Sequence, residues 1–353
     1  MKKSVCFSVA GIVSLLAALF LVTAFSGCAK NDGKTLYFYN WTYYTPESVI
    51  EKFEQEFGVE VVLDYYSTNE DMYAKLKAGG GGYDIVVPSQ DYVAIMIEED
   101  MLQPIDHSKF PNAQNVSSLV LEKATYDPSM EYSVPYYMGA AGIAVNKSRV
   151  SGYEESWDIF ARTDLKGRMA MLDDMREVIG DALAYKGYSV NSLDDAQLEE
   201  AKRIVIDQWK PNLVKFDAEG IGKSFSSGEF WVVQGYAEQV FEELDEAEWD
   251  NVDFFIPTAE GGPMYIDSLC ILKKAKNYDL AMEFINFIHR PEIYAEFVDA
   301  FHFPPTANSA AAEYMTTTPH YSADDLVNSE IKEDLGIGLD KYNRVWQDIR
   351  FTQ

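Results

Sequence analysis

Three segments, Thr35-Leu-Tyr-Phe-Tyr39, Val59-Glu-Val-Val-Leu-Asp-Tyr65 and Tyr83-Asp-Ile-Val-Val87, decide the fold. Each is short and rich in β-branched and aromatic residues, the composition of a strand. Between the first two, Thr45-Pro46 offers an N-cap followed by proline at the first helical position. Val49, Ile50, Phe53 and Phe57 then recur at helical spacing, and Gly58 closes the run. Between the second and third, Asn69 can cap a helix that carries Met72, Tyr73 and Leu76 on one face and ends at Gly79. Pro88 stops the third strand. A β-α-β-α-β order implies a parallel sheet flanked by helices. Ligands of such sheets collect beyond the carboxyl ends of the strands, here Asn40-Trp41-Thr42 and Pro88-Ser89-Gln90.

Further along, Tyr132 to Asn146 reads as extended and holds Pro135 and Gly139, a candidate crossover into a second domain. A second run follows: Arg168-Met-Ala-Met-Leu172 as strand, helices from about Met175 to Lys186 and around Leu198 to Trp209, and a strand from Phe230 to Gln234. Met264 to Leu272 is extended again and can return to the first domain. Crossings near 139 and 266 predict an α/β protein of two lobes with a cleft between them. No internal repeat is visible. The glycine run 79–82 precedes Tyr-Asp rather than Lys-Ser/Thr, so it reads as a helix-to-strand turn and not as a phosphate loop.

The chain has 353 residues, room for about two domains of ~150 residues. Lys and Arg number 29 against 57 Asp and Glu, a formal charge of −28. That balance excludes a nucleic-acid binder, which needs clustered basic residues, and favours attraction of cations. At the N-terminus, Lys2 and Lys3 precede an almost wholly apolar or small stretch, residues 4–25. Its length would allow a membrane span, but the small residues before Cys28 suit a cleavage site better. Phe25-Ser26-Gly27-Cys28 resembles the lipobox of bacterial lipoproteins. The resemblance implies a signal peptide over 1–27, acylation of Cys28 and a tether over 28–34. An uncleaved anchor and secretion without lipid are the alternatives. With Cys6 removed and Cys28 acylated, Cys270 is left alone, so no intramolecular disulfide is expected. Its setting, Ser268-Leu269-Cys270-Ile271-Leu272, reads as a buried strand.

Catalytic and metal signatures are missing. The four histidines, His107, His289, His302 and His320, have no zinc-site spacing, and no G-x-S-x-G occurs. What remains are aromatics and carboxylates beside strand ends: Trp41, Tyr44, Asp174, Glu177, Tyr265 and Asp267. Each has a plainer reading. Asp174-x-x-Glu177 fits a capping box with Asp in place of Ser or Thr, and Trp41 fits a core. Tyr265 and Asp267 alternate along a strand and can face one side. A buried Asp there needs a partner, and a cationic ligand would be one.

Several stretches together resemble the spermidine/putrescine-binding proteins of polyamine ABC importers. They are Leu36-Tyr-Phe-Tyr-Asn-Trp-Thr42, Ser67-Thr-Asn-Glu-Asp-Met-Tyr-Ala-Lys-Leu-Lys77, Tyr83-Asp-Ile-Val-Val-Pro-Ser89, Val134-Pro-Tyr-Tyr-Met-Gly-Ala140, Asp173-Asp-Met-Arg-Glu-Val178 and Asp267-Ser-Leu269. The resemblance implies a periplasmic-binding-protein fold, with residues 35–138 and 267–315 in one lobe and 139–266 and 316–353 in the other. It implies a ligand site of Trp41, Thr42, Tyr44 and Ser89 from the first lobe and Asp174 and Glu177 from the second. Tyr236 and Tyr265 stand where Trp is common, Phe303 where Tyr is usual, and Asp267 matches the carboxylate that grips an ammonium. Asp91 replaces an aromatic, and Lys332 falls where Gln is expected. The chain is thus expected to be a lipid-anchored, non-enzymatic, monomeric receptor outside the inner membrane. It would need no cofactor or metal, and it would pass a polyamine to a membrane permease and its ATPase. Alternatives are a receptor of the same fold for iron or a sugar, and a surface lipoprotein acting as adhesin or antigen.

Overall fold

The computed structural model describes residues 34–42 and 44–352. The expected signal peptide, Cys28 and most of the tether lie outside the described residues. The chain opens with β1 (Thr35–Trp41), α1 (Glu47–Phe57), β2 (Glu60–Tyr66), α2 (Asn69–Lys77), β3 (Ile85–Val86) and α3 (Gln90–Glu98). β1 pairs parallel with β2 on one side and with β3 on the other, as the β-α-β-α-β order requires. Gly58 ends α1 with φ 65°, a left-handed cap that glycine adopts without penalty. Two cap assignments change. Thr45 does not cap α1, because its hydroxyl is held by Asn40 and Tyr136. Thr68, not Asn69, caps α2 by accepting from the Asp71 N–H, which leaves the Asn69 amide for another partner.

After α4 (Ser118–Lys123) the chain runs through β4 (Ser133–Ala140) into β5 (Gly142–Asn146), crossing from one sheet to the other between Ala140 and Gly142. Next come β6 (Met169–Met171), α5 (Met175–Tyr185), α6 (Asp195–Arg203), β7 (Leu213–Phe216), α7 (Ile221–Ser226), β8 (Val232–Gly235), α8 (Ala237–Phe241) and β9 (Val252–Phe255). The helix read over 198–209 is α6 continued as one π-helical stretch, Ile204–Trp209. β10 (Pro263–Ile271), α9 (Tyr278–Ile288), α10 (Pro291–Asp299), β11 (Glu330–Ile331) and α11 (Leu339–Phe351) complete the chain.

The strands form two sheets. One runs β11-β10-β3-β1-β2 with β4 also paired to β10, and the other runs β7-β6-β8-β5-β9. The first is mixed rather than wholly parallel, since β10 runs antiparallel to both β3 and β4. This is the expected two-lobed α/β architecture. β4 and β10, which lead to and from the second sheet, pair with each other along the floor between the lobes. The segment after β11 crosses a third time: Lys332 donates its N–H to Met264 of β10, whereas Glu333 donates to Asn191.

The main core is continuous across both sheets, joining Leu36 and Phe38 of β1 to Ala170 of β6 and Val233 of β8, and each sheet carries a further cluster of its own. Phe38, Phe53, Phe284 and Phe287 pack beneath the first, with Phe53 5.1 Å from Phe284 and 5.3 Å from Phe287 between ring centroids. Trp157, Phe160 and Trp209 anchor the second. Cys270 is buried in β10, behaving as a small hydrophobe in the strand where it was expected. Phe53→Ala should destabilise the protein by about 3–5 kcal/mol, because the ring is fully enclosed and its neighbours cannot collapse into the gap. Denaturant unfolding measures this, and a loss below about 1 kcal/mol would mean the site collapses freely.

Candidate functional site

The carboxyl ends of β1 and β3, the middle of β10, the start of α5, the end of β8 and the end of β11 converge between the lobes. A break in strand register shapes this place. Asp267 pairs with Tyr137 but Ser268 pairs with Pro135, so Tyr136 is an extra residue in β4. Pro135 has no N–H to give to the ladder, and proline in a sheet is tolerated at such bulges. The freed Tyr136 places its hydroxyl on Thr45, while Ser268 donates its N–H to Pro88. β10 is thereby drawn against the end of β3, and Asp267 meets Ser89 in an isolated bridge.

Asp267 is only 5% exposed. Its Oδ1 accepts from the Ser89 hydroxyl at 2.6 Å and its Oδ2 from the Tyr44 hydroxyl at 2.8 Å. Ser89 is itself held by Asn69, whose Nδ2 donates to Oγ at 3.0 Å and whose Oδ1 accepts from the Ser89 N–H at 3.2 Å. Burial pushes the Asp267 carboxyl up to about 6, and the two hydroxyl donors and the Lys332 charge oppose that rise.

A second carboxylate lies at the start of α5. Asp174 caps this helix, its Oδ1 accepting from the N–H groups of Arg176 at 2.7 Å and Glu177 at 3.1 Å. The capping reading of Asp174 therefore holds, but the box is not closed. Glu177 turns inward instead, to 1% exposure. Its Oε1 takes an ion pair from Lys332 and a 3.1 Å hydrogen bond from the Tyr236 hydroxyl. Its Oε2 is buried without a hydrogen-bond partner. Burial raises the Glu177 carboxyl, with Lys332 opposing. Burial also pulls on the Lys332 ammonium, but the fields of Glu177, Asp174 and Asp91 outweigh it and hold the group above its ordinary value. Asp91, at the start of α3, is raised by burial and lowered again by Lys332.

Aromatic rings complete the enclosure. The Trp41 indole N–H donates to the Val87 carbonyl at 2.8 Å and its ring lies 4.6 Å from Tyr66. Tyr265 meets Tyr236 edge-on at 5.7 Å and Tyr137 at 6.2 Å. Gly139 permits this approach, because a Cβ there would come within 2.7 Å of the Tyr265 hydroxyl. The structure thus gathers Tyr44, Ser89 and Asp267 into one group and Glu177, Tyr236 and Lys332 into another, with Tyr265 against Tyr236. Asp174 acts as a cap at the rim. Thr42 is exposed, with its N–H and hydroxyl both on Tyr66. Phe303 is buried beneath Tyr137, stacked at 4.4 Å, rather than open to the cleft.

Sequence reasoning missed four participants. Asn69 has the sequence position of a cap, whereas in the fold it braces Ser89. Gln90 follows a strand end in the sequence, and its side chain accepts from the Ile266 N–H and donates to the Lys332 carbonyl, tying three elements together. Tyr137 backs Tyr265. Glu238, pushed up to about 7 by burial, lies in the field that acts on Tyr265. Only Tyr137 had a signal, the aromatic pair inside a Pro-Tyr-Tyr crossover. Among the described residues, no group of three or more His, Cys, Asp or Glu could hold a metal ion, and no helix is long and apolar enough to cross a membrane.

The family model for bacterial extracellular solute-binding proteins matches residues 48–327. The chain is 35% identical to the spermidine/putrescine-binding periplasmic protein of Escherichia coli, over 95% of this chain and 97% of that one. It is 32% identical to the putrescine-binding periplasmic protein SpuD of Pseudomonas aeruginosa, over 91% and 88%. Among solved structures, the Tp0655 lipoprotein of Treponema pallidum is 54% identical with a TM-score of 0.86, covering 90% of this chain and 99% of that one. The spermidine/putrescine transporter substrate-binding protein of Streptococcus pneumoniae is 28% identical with a TM-score of 0.82, covering 90% and 98%.

The raised Asp267 carboxyl has a consequence for stability. Its folded value, about 6, lies above its ordinary 3.8, so ionising it opposes folding. The penalty is absent at low pH, grows as pH climbs between those two values and is complete above the upper one. Asp267→Asn should therefore raise the stability of the ligand-free protein at pH 7.5 by on the order of 2 kcal/mol. The gain should vanish as pH falls to about 4. Thermal melts across pH check this, and an equal gain at every pH would contradict it.

Proposed function

The chain belongs to the bacterial extracellular solute-binding proteins, among the spermidine/putrescine-binding proteins, and from that premise we propose that its cleft captures a linear polyamine for delivery to an ABC permease and its ATPase. The observation that carries this reading is the pair of buried carboxylates, Asp267 and Glu177, on opposite lobes and flanked by Tyr and Trp rings. An aliphatic chain ending in ammonium groups matches that arrangement. Asp267 takes one ammonium, with Tyr44 and Ser89 holding its oxygens in place. The unpartnered Glu177 Oε2 is an acceptor for the other end. Trp41, Tyr236 and Tyr265 cover the methylenes and add cation–π attraction, about 0.5–2 kcal/mol each. Micromolar binding needs about −8 kcal/mol net, within reach of two charge-assisted pairs and such walls after ordering costs. The −28 formal charge speeds encounter with a polycation and makes that encounter salt-sensitive.

For motion, we assign residues 35–138 and 267–315 to one body and 139–266 to the other. The expected assignment of 316–353 to the second body is corrected at β11, which pairs with β10 of the first sheet, so the third crossing follows Lys332 and the chain beyond it joins the second body. Nothing in this reading calls for catalysis, a metal or a cofactor, and one chain carries the whole site. We assign Cys28 as the lipid-bearing residue, which holds the receptor at the membrane surface outside the cytoplasm.

Titration calorimetry of the purified protein should give micromolar or tighter binding of putrescine or spermidine. Asp267→Asn should weaken it at least tenfold, since breaking a buried charged pair costs roughly 3–5 kcal/mol. No heat and no thermal shift with either amine would overturn the reading. For the anchor, Cys28→Ala should move the protein from the membrane fraction to the soluble fraction of the producing cells. A variant that stays with the membrane would point to an uncleaved span.

A further inference from the structure

Lys332 brings a positive charge into a site otherwise built of carboxylates. Its backbone is fixed to the first sheet, with the N–H on Met264 at 3.1 Å and the carbonyl accepting from Gln90 Nε2 at 2.6 Å. Its side chain, 16% exposed, reaches over to Glu177 on α5. The next residue is held by the second lobe, where Arg176 donates to the Glu333 carbonyl at 3.0 Å and the Glu333 N–H donates to Asn191 at 2.9 Å. The backbone that carries the ammonium is thus tied to both lobes, and turning the side chain away would break its pair with the buried Glu177. Besides Glu177, it lies in the field of Asp174, Asp91 and Asp267.

We propose that Lys332 is a resident ammonium that fills one cation position of the cleft and so sets the number of charges a ligand can bring. This rests on the polyamine reading above. Glu177 Oε1 is already shared between Lys332 and Tyr236, which leaves a single oxygen, Oε2, at that end. A linear diamine needs one acceptor at Asp267 and one at Glu177. A triamine brings a further ammonium, and at the Glu177 end that charge meets Lys332 in surroundings shielded from water. Like charges repel there far more than in bulk solvent. The cleft accordingly favours the diamine.

Competition titration with putrescine and spermidine on the purified wild type, Lys332→Met and Lys332→Arg tests the proposal. Met keeps the length of the stem without the charge, and Arg keeps the charge. The wild type should bind putrescine more tightly. Lys332→Met should shift the ratio of dissociation constants toward spermidine by at least about tenfold, equivalent to ~1.4 kcal/mol, while Lys332→Arg keeps the wild-type ratio. A purely structural role would weaken both amines together and leave the ratio alone, and that result overturns the proposal. So does a wild type that prefers spermidine. If Lys332→Met does not fold, Lys332→Gln, which retains a donor for Glu177, supplies the same ratio. Failure of the wild type to bind either amine removes the polyamine reading itself, and is thereby distinct from an unchanged ratio in a variant that still binds.

Discussion

A carboxylate can be removed from water only if donors surround it, and the placing of Asp267 governs much of this molecule. Its two oxygens take the hydroxyls of Ser89 and Tyr44, which follow the carboxyl ends of the neighbouring parallel strands β3 and β1. Bringing those hydroxyls together requires β10 to lie against the end of β3. The register of β10 against β4 on its other edge shifts at this same place, with Tyr136 as the extra residue beside Pro135. The same two strands form the floor between the lobes, so the demand of one buried charge is met by the strands that define the cleft. Even with both hydroxyls the charge is poorly compensated, as its elevated pKa attests. A neutral residue there would leave the ligand-free protein more stable.

The two poles of the cleft are built differently. Asp267 sits on a strand and is served by neutral hydroxyls. Glu177 sits in the first turn of a helix, where the backbone dipole already favours negative charge, and is served by an ammonium. One end is thus electrically open and the other partly answered. Lys332 bridges the lobes as it does so, which couples the electrostatics of the site to the contact between the two bodies.

Most of the fold was legible because the strands and helices announce themselves in composition and period. Tyr83-Asp-Ile-Val-Val87 and Val49-Ile50-Phe53-Phe57 needed no tertiary context. What escaped were features decided at a distance. Thr45 looks like a cap, but Asn40 and Tyr136 claim its hydroxyl, and Tyr136 is 91 residues away in the chain. The bulge in β4 depends on which residue faces Pro135, which no local pattern reveals. Of the expected site residues, Tyr44, Ser89 and Asp267 form one hydrogen-bonded group and Glu177 and Tyr236 another with Lys332. Asn69 and Gln90 did not stand out, because amides that brace other side chains carry no spacing signature. Asp174 shows that one residue can satisfy the plain reading, as a helix cap, and still lie within reach of the charges in the cleft.

The rings that line the cleft are fastened before any ligand arrives. Trp41 is held at its indole N–H by Val87, Tyr44 at its hydroxyl by Asp267 and Tyr236 by Glu177, while Tyr137, which backs Tyr265, is held by Tyr321. Side chains anchored at their tips have few rotamers left to lose. Binding would then order the guest far more than the host, and each freely rotating bond of a flexible guest would carry its own entropic charge. A stiff wall of this kind discriminates by length and floppiness as well as by charge, and a rigidified guest of matching span would gain more from it than from a surface that had to be ordered at the same time.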